Sequence, residues 1–549
     1  MKIKSTLALA LVAVATSALS SCGKKNKSDF IFWSSFGTAY TSVLDGIVEK
    51  AGEVAGAKID HKSKGSYDNV LAEMLNCLAD RKYPDMVTGY PDHFAEYLGN
   101  DALQPLDKYV ERYNQKHGVD LLKDYESAYM TENYDLAVDD AGNKVLSALP
   151  FNKSTELMGY NGVFVDYCAS LTEYSGDDLY NVPKTWQEWQ VKGPKYREIL
   201  TSLATGHKAL YGVQNEEGTA SQFHLSDSRL EKKNAAGEYV DENDKPLLLD
   251  FTDVDVNLTR VISWDSTDNM FITLVRQWGG QYTRLPDTEK KKEPLFRKGE
   301  ILFNAKNDAQ YGDVRSKVVD CMKFFNRLNK QHIFGVPSEF QAQYSSTQFE
   351  QNKVMFMLCS SGGLSYNTAK WTNRFRVAPL PYNEALGNDG KYVISQGANI
   401  TLTDRAGDDA KYEQAFEAMA AMTTGELQAK WCLETGYYPC SKSAASDPAY
   451  KAFLDSTDYS TPTTVAYREG ANLNQNEYMD AAKGWHKFVD PAFIGSSIIR
   501  KTIKSIFSSV FVNIGQSDLE DTSKYETILQ EVVDDPTIKQ NAEHIKVIA

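Results

Sequence analysis

"FIFWSSFGTAYTSVLDGIVEKAGEVAGAKIDHKS", Phe30 to Ser63, is the stretch that decides the fold class. It opens on an apolar strand, Phe30 to Trp33, and passes into a helical pattern that ends near "VLDGIVEKAG". A second strand follows at "AKIDHKS". Downstream, "YDNVLAEMLNCLADR" sets Val70, Leu71, Met74, Leu75 and Leu78 on one helical face. "PDMVTG" is a third short strand, and another helix runs through "HFAEYL". Strands alternating with helices point to a parallel sheet in an α/β fold.

The pattern continues beyond this region, with one weak stretch. "VLSALPFNKSTELMGYNGVFV" holds two apolar strands around a polar connection. Thr185 and Glu188 have capping-box spacing for the helix that begins in "WQEWQ". From about 215 to 310 the periodicity is poor. There "NAAGEYVDENDKPLLLD" reads as a hairpin or surface insertion, and the lysines at 290 to 292 as a solvated loop. "KVVDCMKFFNRL" is then a helix, and "VMFMLCSSGGL" a strand entering a Ser/Gly turn. The alternation resumes at "KYVISQGANITL". Ala415, Phe416, Met419 and Met422 share a helical face, and Thr423 with Glu426 can box the start of the next helix. The last hundred residues read mainly as helical. No internal repeat or heptad run is present.

The start of the chain has a separate meaning. Lys2 and Lys4 precede "STLALALVAVATSALS", an apolar run of signal-peptide length that is too short for a comfortable membrane span. Leu19-Ser20-Ser21-Cys22 then resembles a bacterial lipobox, in which the cysteine is lipidated and becomes the first residue. An ordinary signal peptide with a chance cysteine is the alternative; the spacing, the small residues and the positive leader favour the lipobox. "KKNKSD" reads as a polar tether.

Composition excludes several classes. The 549 residues carry 59 basic and 74 acidic side chains, a net charge of -15, and no basic block, which argues against nucleic-acid binding. Six of the seven cysteines lie beyond Cys22 and are scattered. Cys77 reads as a buried thiol, and only Cys432 and Cys440 are close enough to suggest a local bridge. No cysteine–histidine cluster has zinc spacing, so no metal is expected. GxxxxGK[ST], GxSxG, HExxH and GxGxxG are all absent. A glycosidase-like carboxylate pair is left open, with no residue singled out.

What the chain offers instead is loops suited to binding. "KGSYDN" puts Tyr67 at a strand-to-helix junction, and "PFNKST" puts Lys153, Ser154 and Thr155 after a strand. "CSSGG" and "SQGAN" supply hydroxyls and open backbone N–H groups. In α/β lobes ligands sit outside the carboxyl ends of the strands, where such loops lie.

In order along the chain, "FWSSF", "KGSYDN", "YPDMV", "ALQPLDKYV", "LPFNKSTELMGYN", "PKTWQEW", "FRVAPLPY" and "ELQAKWCLETGYYPCSKSA" resemble the family 1 extracellular solute-binding proteins of ABC importers. Within that family the nearest pattern is that of glycerol-3-phosphate and glycerophosphodiester binders. The resemblance implies a type II clamshell of two α/β lobes, each a sheet flanked by helices, closing on a ligand. Its layout would be a signal peptide at 1–21, a lipidated tether at 22–28, one lobe from 29–148 and 391–435, and the other from 149–390 and 436–549. It implies a non-enzymatic protein without cofactor, held at the extracytoplasmic face of the cell membrane through Cys22. Its partners would be ABC permease subunits and a small-molecule ligand.

Residue by residue, the resemblance assigns ligand contacts to Tyr67, Ser154, Trp186, Ser360, Gly397, Tyr437 and Arg500, with Cys359 and Ser361 as one-residue alternatives to Ser360. Arg500 would offer a planar charged fork to a phosphate. Ser154, Ser360 and the Gly397 N–H would add hydrogen bonds, and Tyr67, Tyr437 and Trp186 would cover an apolar ligand face. Two positions depart from the pattern. Pro91 stands where the glycerophosphate binders carry a glutamate, with Asp92 one step on, and Lys153 inside "PFNKST" reads as a surface lysine. The leading expectation is a glycerophosphate or related polyol phosphate, and the alternative a neutral sugar or oligosaccharide. A surface glycan-processing enzyme and an adhesin are the remaining readings.

Overall fold

The computed structural model describes residues 28–548 except 140, 142, 215–219, 287–297, 369–374 and 406. The signal peptide, Cys22, most of the tether and the 290–292 lysines lie outside the described residues. No helix among the described residues is long and apolar enough to cross a membrane.

The opening stretch folds as its pattern dictates. Strand Phe30–Ser34 is buried on nearly every residue, as a parallel strand covered on both faces must be. Helix Thr38–Ala55 buries Tyr40, Leu44, Ile47, Val48 and Ala51 on one stripe and stops at Gly56, whose φ of 65° is the left-handed cap that glycine tolerates. Strand Ile59–Ser63 pairs parallel to the first, and Met86–Gly89 pairs on its other side. The spatial order of the smaller sheet is Ile59–Ser63, Phe30–Ser34, Met86–Gly89, Asn399–Leu402, Leu149–Pro150.

The larger sheet runs Phe334–Gly335, Arg260–Trp264, Val354–Ser360, Ser154–Asn161, Tyr392–Gln396, His486–Phe488, with Phe375–Ala378 also paired to Ser154–Asn161. Helices Trp186–Thr205, Thr267–Gln277 and Val314–Lys330 cover it and share one core with it. The protein is therefore two α/β lobes, each a sheet flanked by helices. Within the 215–310 region Val240 bridges Pro246 antiparallel, in agreement with the hairpin reading, and Leu247–Asp250 pairs antiparallel with Ala209–Gln214, which precedes the region.

Strand pairing shifts the lobe boundaries from those expected. Leu149–Pro150 belongs to the smaller sheet, and Phe151 packs in its core, so the first crossing falls at Asn152–Lys153 rather than at 149. Tyr392–Gln396, expected in the first lobe, pairs with Ser154–Thr155 and with His486–Phe488 in the larger sheet. The return crossing is thus Gly397–Ala398. Cys440, Ala444 and Tyr450 pack in the smaller lobe's core and Ala466 and Tyr467 in the larger one's, which puts the third crossing after Leu454 instead of 435. A boundary is fixed by which sheet a strand hydrogen-bonds to, and that is a long-range property.

The first two crossings lie side by side. Phe151 and Asn152 both donate their N–H to the Ala398 carbonyl, at 3.3 and 3.1 Å. Gly397 has a φ of 105°, and a β-carbon there would stand 1.7 Å from the Asn152 carbonyl oxygen. Only glycine fits this approach.

Candidate ligand-binding cleft

Between the lobes lies a cavity of about 710 Å³, within the size range of small-molecule sites. Its walls come from both lobes, and contacts on its edges join them: Tyr40 to Ser365 Oγ at 2.7 Å, and the Gly495 N–H donating to Glu96 at 2.9 Å.

On the smaller lobe, Tyr67 opens helix Tyr67–Cys77. Ser66 caps that helix by accepting from the Asn69 N–H at 3.2 Å. The Tyr67 hydroxyl accepts from Asn152 at 2.9 Å, and its ring packs on Tyr90 with centroids 4.5 Å apart. Pro91 and Asp92 follow Tyr90 into the next helix and also face the cavity. Tyr437 stacks on Trp431 at 5.9 Å and lies so close to Gly362 that a β-carbon there would meet its ring at 2.7 Å.

The floor is the crossing itself, with Ser154, Ser395, Gln396 and Gly397 exposed to the cavity. Beneath it Lys153 is buried, 1% exposed, and ion-paired to Glu132 from the smaller lobe. Its ammonium also donates to Asn399 at 2.8 Å and to the Gly397 carbonyl at 3.3 Å. The expected surface lysine is instead a buried tie between the two crossings. Its chain neighbours pair in both sheets, so no solvent-facing position exists for it.

On the larger lobe, Ser360 ends strand Val354–Ser360, accepts from the Gly362 N–H at 3.2 Å and faces the cavity. Cys359 and Ser361 are buried and do not line it. Arg500, on helix Ser496–Ile503, also faces the cavity, but each of its three guanidinium nitrogens already donates a hydrogen bond. Nε bonds Asp268 at 2.9 Å, Nη1 bonds Asp490 at 3.0 Å, and Nη2 bonds the Asn269 side chain. Burial would raise the Asp268 pKa, yet Arg500 and Lys504 more than offset this and hold it below the usual carboxylate range. Burial carries Asp490 up to about 6 against the pull of Arg500.

Six of the seven expected positions therefore converge on one cavity: Tyr67, Ser154, Ser360, Gly397, Tyr437 and Arg500. Trp186 does not. It is fully buried against Trp264 and Phe325, and its indole N–H donates to Gln277 at 2.7 Å. The capping of its helix explains why: Thr185 accepts from the Glu188 N–H at 3.1 Å and turns the first helical residue into the core. Sequence reasoning missed Asp265, Asp268 and Asn269 at the carboxyl end of strand Arg260–Trp264, and Tyr282, Tyr344 and Tyr366 around them. The signal available was an apolar "RVISW" running into "DSTD", a strand end followed by a helix start.

Among the described residues no group of three or more His, Cys, Asp or Glu is placed to hold a metal ion. The described cysteines are free, including Cys432 and Cys440, and Cys77 is only partly buried.

A family profile described as bacterial extracellular solute-binding protein matches residues 47–453. The chain belongs to this family. This solute-binding protein is thus a substrate-binding component of an ABC importer, acting outside the cytoplasm with a small-molecule ligand and permease subunits. Comparison with curated proteins finds no match. Solved structures share the fold at low identity. UgpB from Mycobacterium tuberculosis, in complex with glycerophosphocholine, is 15% identical at a TM-score of 0.60, over 93% of this chain and 98% of that one. The substrate-binding protein Lmo0181 from Listeria monocytogenes, in complex with cycloalternan, is 14% identical at 0.58, over 93% and 98%. The cyclic alpha-maltosyl-1,6-maltose binding protein from Arthrobacter globiformis is 14% identical at 0.57, over 92% and 98%.

Proposed function

We propose that this solute-binding protein captures a neutral, hydroxyl-rich ligand, an oligosaccharide, by closing its two lobes, and that Cys22 anchors it to the membrane by lipid. The observation that carries the ligand reading is the state of Arg500, whose three guanidinium nitrogens each already donate, to Asp268, Asp490 and Asn269. Three of the five N–H groups are used and the charge of Arg500 is offset by two aspartates, so a phosphate brought beside Asp268 and Asp490 meets repulsion rather than an open cation. The rest of the lining agrees. Tyr67, Tyr90, Tyr344, Tyr366 and Tyr437 supply aromatic faces with polar edges, and serines and carboxylates supply partners for hydroxyls. The cavity volume of about 710 Å³ has room for more than one sugar ring.

In this reading Tyr67, Ser154, Ser360, Gly397 and Tyr437 contact the ligand, Arg500 positions Asp268 and Asn269, and Trp186 supports the larger lobe from within. Two neighbours at low identity, one in complex with cycloalternan and one a cyclic alpha-maltosyl-1,6-maltose binding protein, support the substrate class. A glycerophosphodiester is the second reading. Lys501 and Lys504 join Arg500 on one wall and favour it, as does the UgpB neighbour bound to glycerophosphocholine.

A thermal-shift screen separates the two. Binding raises Tm by mass action, by roughly 2.7 kcal/mol of stability at a hundredfold excess over Kd. The expected result is a shift with maltotriose, mannotriose or a cyclic tetrasaccharide and none with glycerol 3-phosphate or glycerophosphocholine. The reverse pattern rejects the oligosaccharide reading.

A further inference from the structure

We propose that Asp265 is a specificity-determining residue of the cleft, whose free carboxylate oxygen accepts hydrogen bonds from a pair of ligand hydroxyls at the larger-lobe end. The inference rests on the oligosaccharide reading above and assigns a contact within it.

Asp265 directly follows strand Arg260–Trp264, between the parallel neighbours Phe334–Gly335 and Val354–Ser360, so it stands at the carboxyl end of three strands. Its placement is built from behind. Its own N–H donates to the Leu358 carbonyl at 2.9 Å, and one carboxylate oxygen accepts from the Ser345 N–H. The Ser345 hydroxyl is in turn fixed to Ser263 at 2.7 Å in the interior. One oxygen is thereby anchored, and the carboxylate faces the cavity beside Tyr344 and Ser346.

Four other carboxylates of the cavity have cations, and Asp92 lies 3.9 Å from His93, whose pKa burial lowers. Asp268 and Asp490 pair with Arg500, Glu132 pairs with Lys153, and Asp68 lies 4.0 Å from Lys501. Among the described residues no Lys, Arg or His comes within ion-pair distance of Asp265. A desolvated carboxylate is costly without hydrogen bonds, and the unfilled side of this one opens only toward the ligand space. A hydroxyl pair supplies donors without requiring a countercharge. Burial sets its pKa at about 6, opposed by the Ser345 N–H. The groups around it are Tyr344 and, across the cleft, Asp68, with Asp268 on the following helix and Cys359 and Glu156 behind. None of them is cationic.

A purely structural role, holding the loop that carries Tyr344, is the competing account, and Asp265→Asn separates the two. Asparagine keeps an acceptor for the Ser345 N–H and replaces the second acceptor with a donor. The experiment is a calorimetric titration of the purified protein with maltotriose and mannotriose at pH 7.5 and pH 5, for the wild type, D265N and D490N. D490N controls for the other carboxylate held near 6; because Asp490 lines the cavity and holds Arg500, only the change in its affinity between the two pH values is read. The expected result is a loss of about ten- to hundredfold in affinity for D265N at pH 7.5. Wild type and D490N should weaken further at pH 5 while D265N stays flat. Equal affinity of D265N and wild type, or parallel pH profiles, overturns the assignment alone. If D265N does not fold, the pH dependence shared by wild type and D490N decides, and a flat profile in both overturns it. Absence of binding by the wild type to every saccharide overturns the oligosaccharide reading, and this assignment with it.

Discussion

Lys153 and Arg500 are both cations held by carboxylates at the cleft, and they sit in opposite surroundings. Lys153 is enclosed at the crossing between lobes, where Glu132, Asn399 and the Gly397 carbonyl surround its ammonium. Arg500 is partly exposed on the wall, with two aspartates and an asparagine spread over its fork. The first holds the two crossings in register; the second sets the charge of the binding surface. The difference shows that a cation in this fold is defined by its carboxylates and by the strand pairing around it. Its residue type alone would have suggested the reverse roles.

Removing Lys153 should have the largest effect. Lys153→Met leaves Glu132 buried without its cation, and the loss expected is about 3–5 kcal/mol. Urea denaturation measures it, and a change under about 1 kcal/mol would mean that the crossing is held by Gly397 and the backbone alone. Trp186→Ala removes a fully buried indole from the larger core and should cost about 3–5 kcal/mol. Because Trp186 is off the cavity, the ligand affinity of whatever fraction folds should be unchanged. An affinity loss with intact stability would return Trp186 to the site.

Arg500→Lys keeps the charge and loses the fork. On a partly exposed group the expected cost is about 1–2 kcal/mol. A neutral ligand should lose only a few-fold in affinity, whereas a phosphate ligand should lose most of its binding.

The smallest effect is in pH dependence. Asp490, near 6, is raised above its ordinary 3.8 by burial, so the folded state holds its proton more tightly than the unfolded one. Its contribution to stability is full below about 4 and is lost as the pH rises through 6. Asp490→Asn should flatten this part of the stability–pH profile, read from thermal melts between pH 4 and 8. An unchanged slope would place the titration elsewhere.

The fold class was legible because its signals are local. Burial on Phe30–Ser34 and the stripe on Thr38–Ala55 follow from periodicity within a few turns. The crossings were not legible. Tyr392–Gln396 joins one sheet and Asn399–Leu402 the other, although only two residues separate them, and each is placed by partners more than two hundred residues away. The site divides in the same way. Tyr67, Ser154 and Tyr437 sit in short motifs at strand and helix ends, and they reach the cavity. Trp186 carries an equally recognisable motif and points into the core, because a motif fixes position along the chain and not the direction of a side chain. Thr423 and Glu426 show the limit of spacing rules. The N-terminal cap of that helix is Thr424, and its side chain makes no capping bond. Asp265 was missed because its meaning depends on the absence of a nearby cation, a tertiary property.

The most direct test of a neutral ligand in a cleft whose arginine is already neutralised is calorimetric titration with maltotriose and glycerophosphocholine at about 20 and about 500 mM salt, where the Debye length falls from roughly 20 to roughly 4 Å. The account predicts saccharide binding with nearly the same affinity at both salt concentrations and no binding of glycerophosphocholine. Glycerophosphocholine binding that weakens strongly with salt, without saccharide binding, would contradict it.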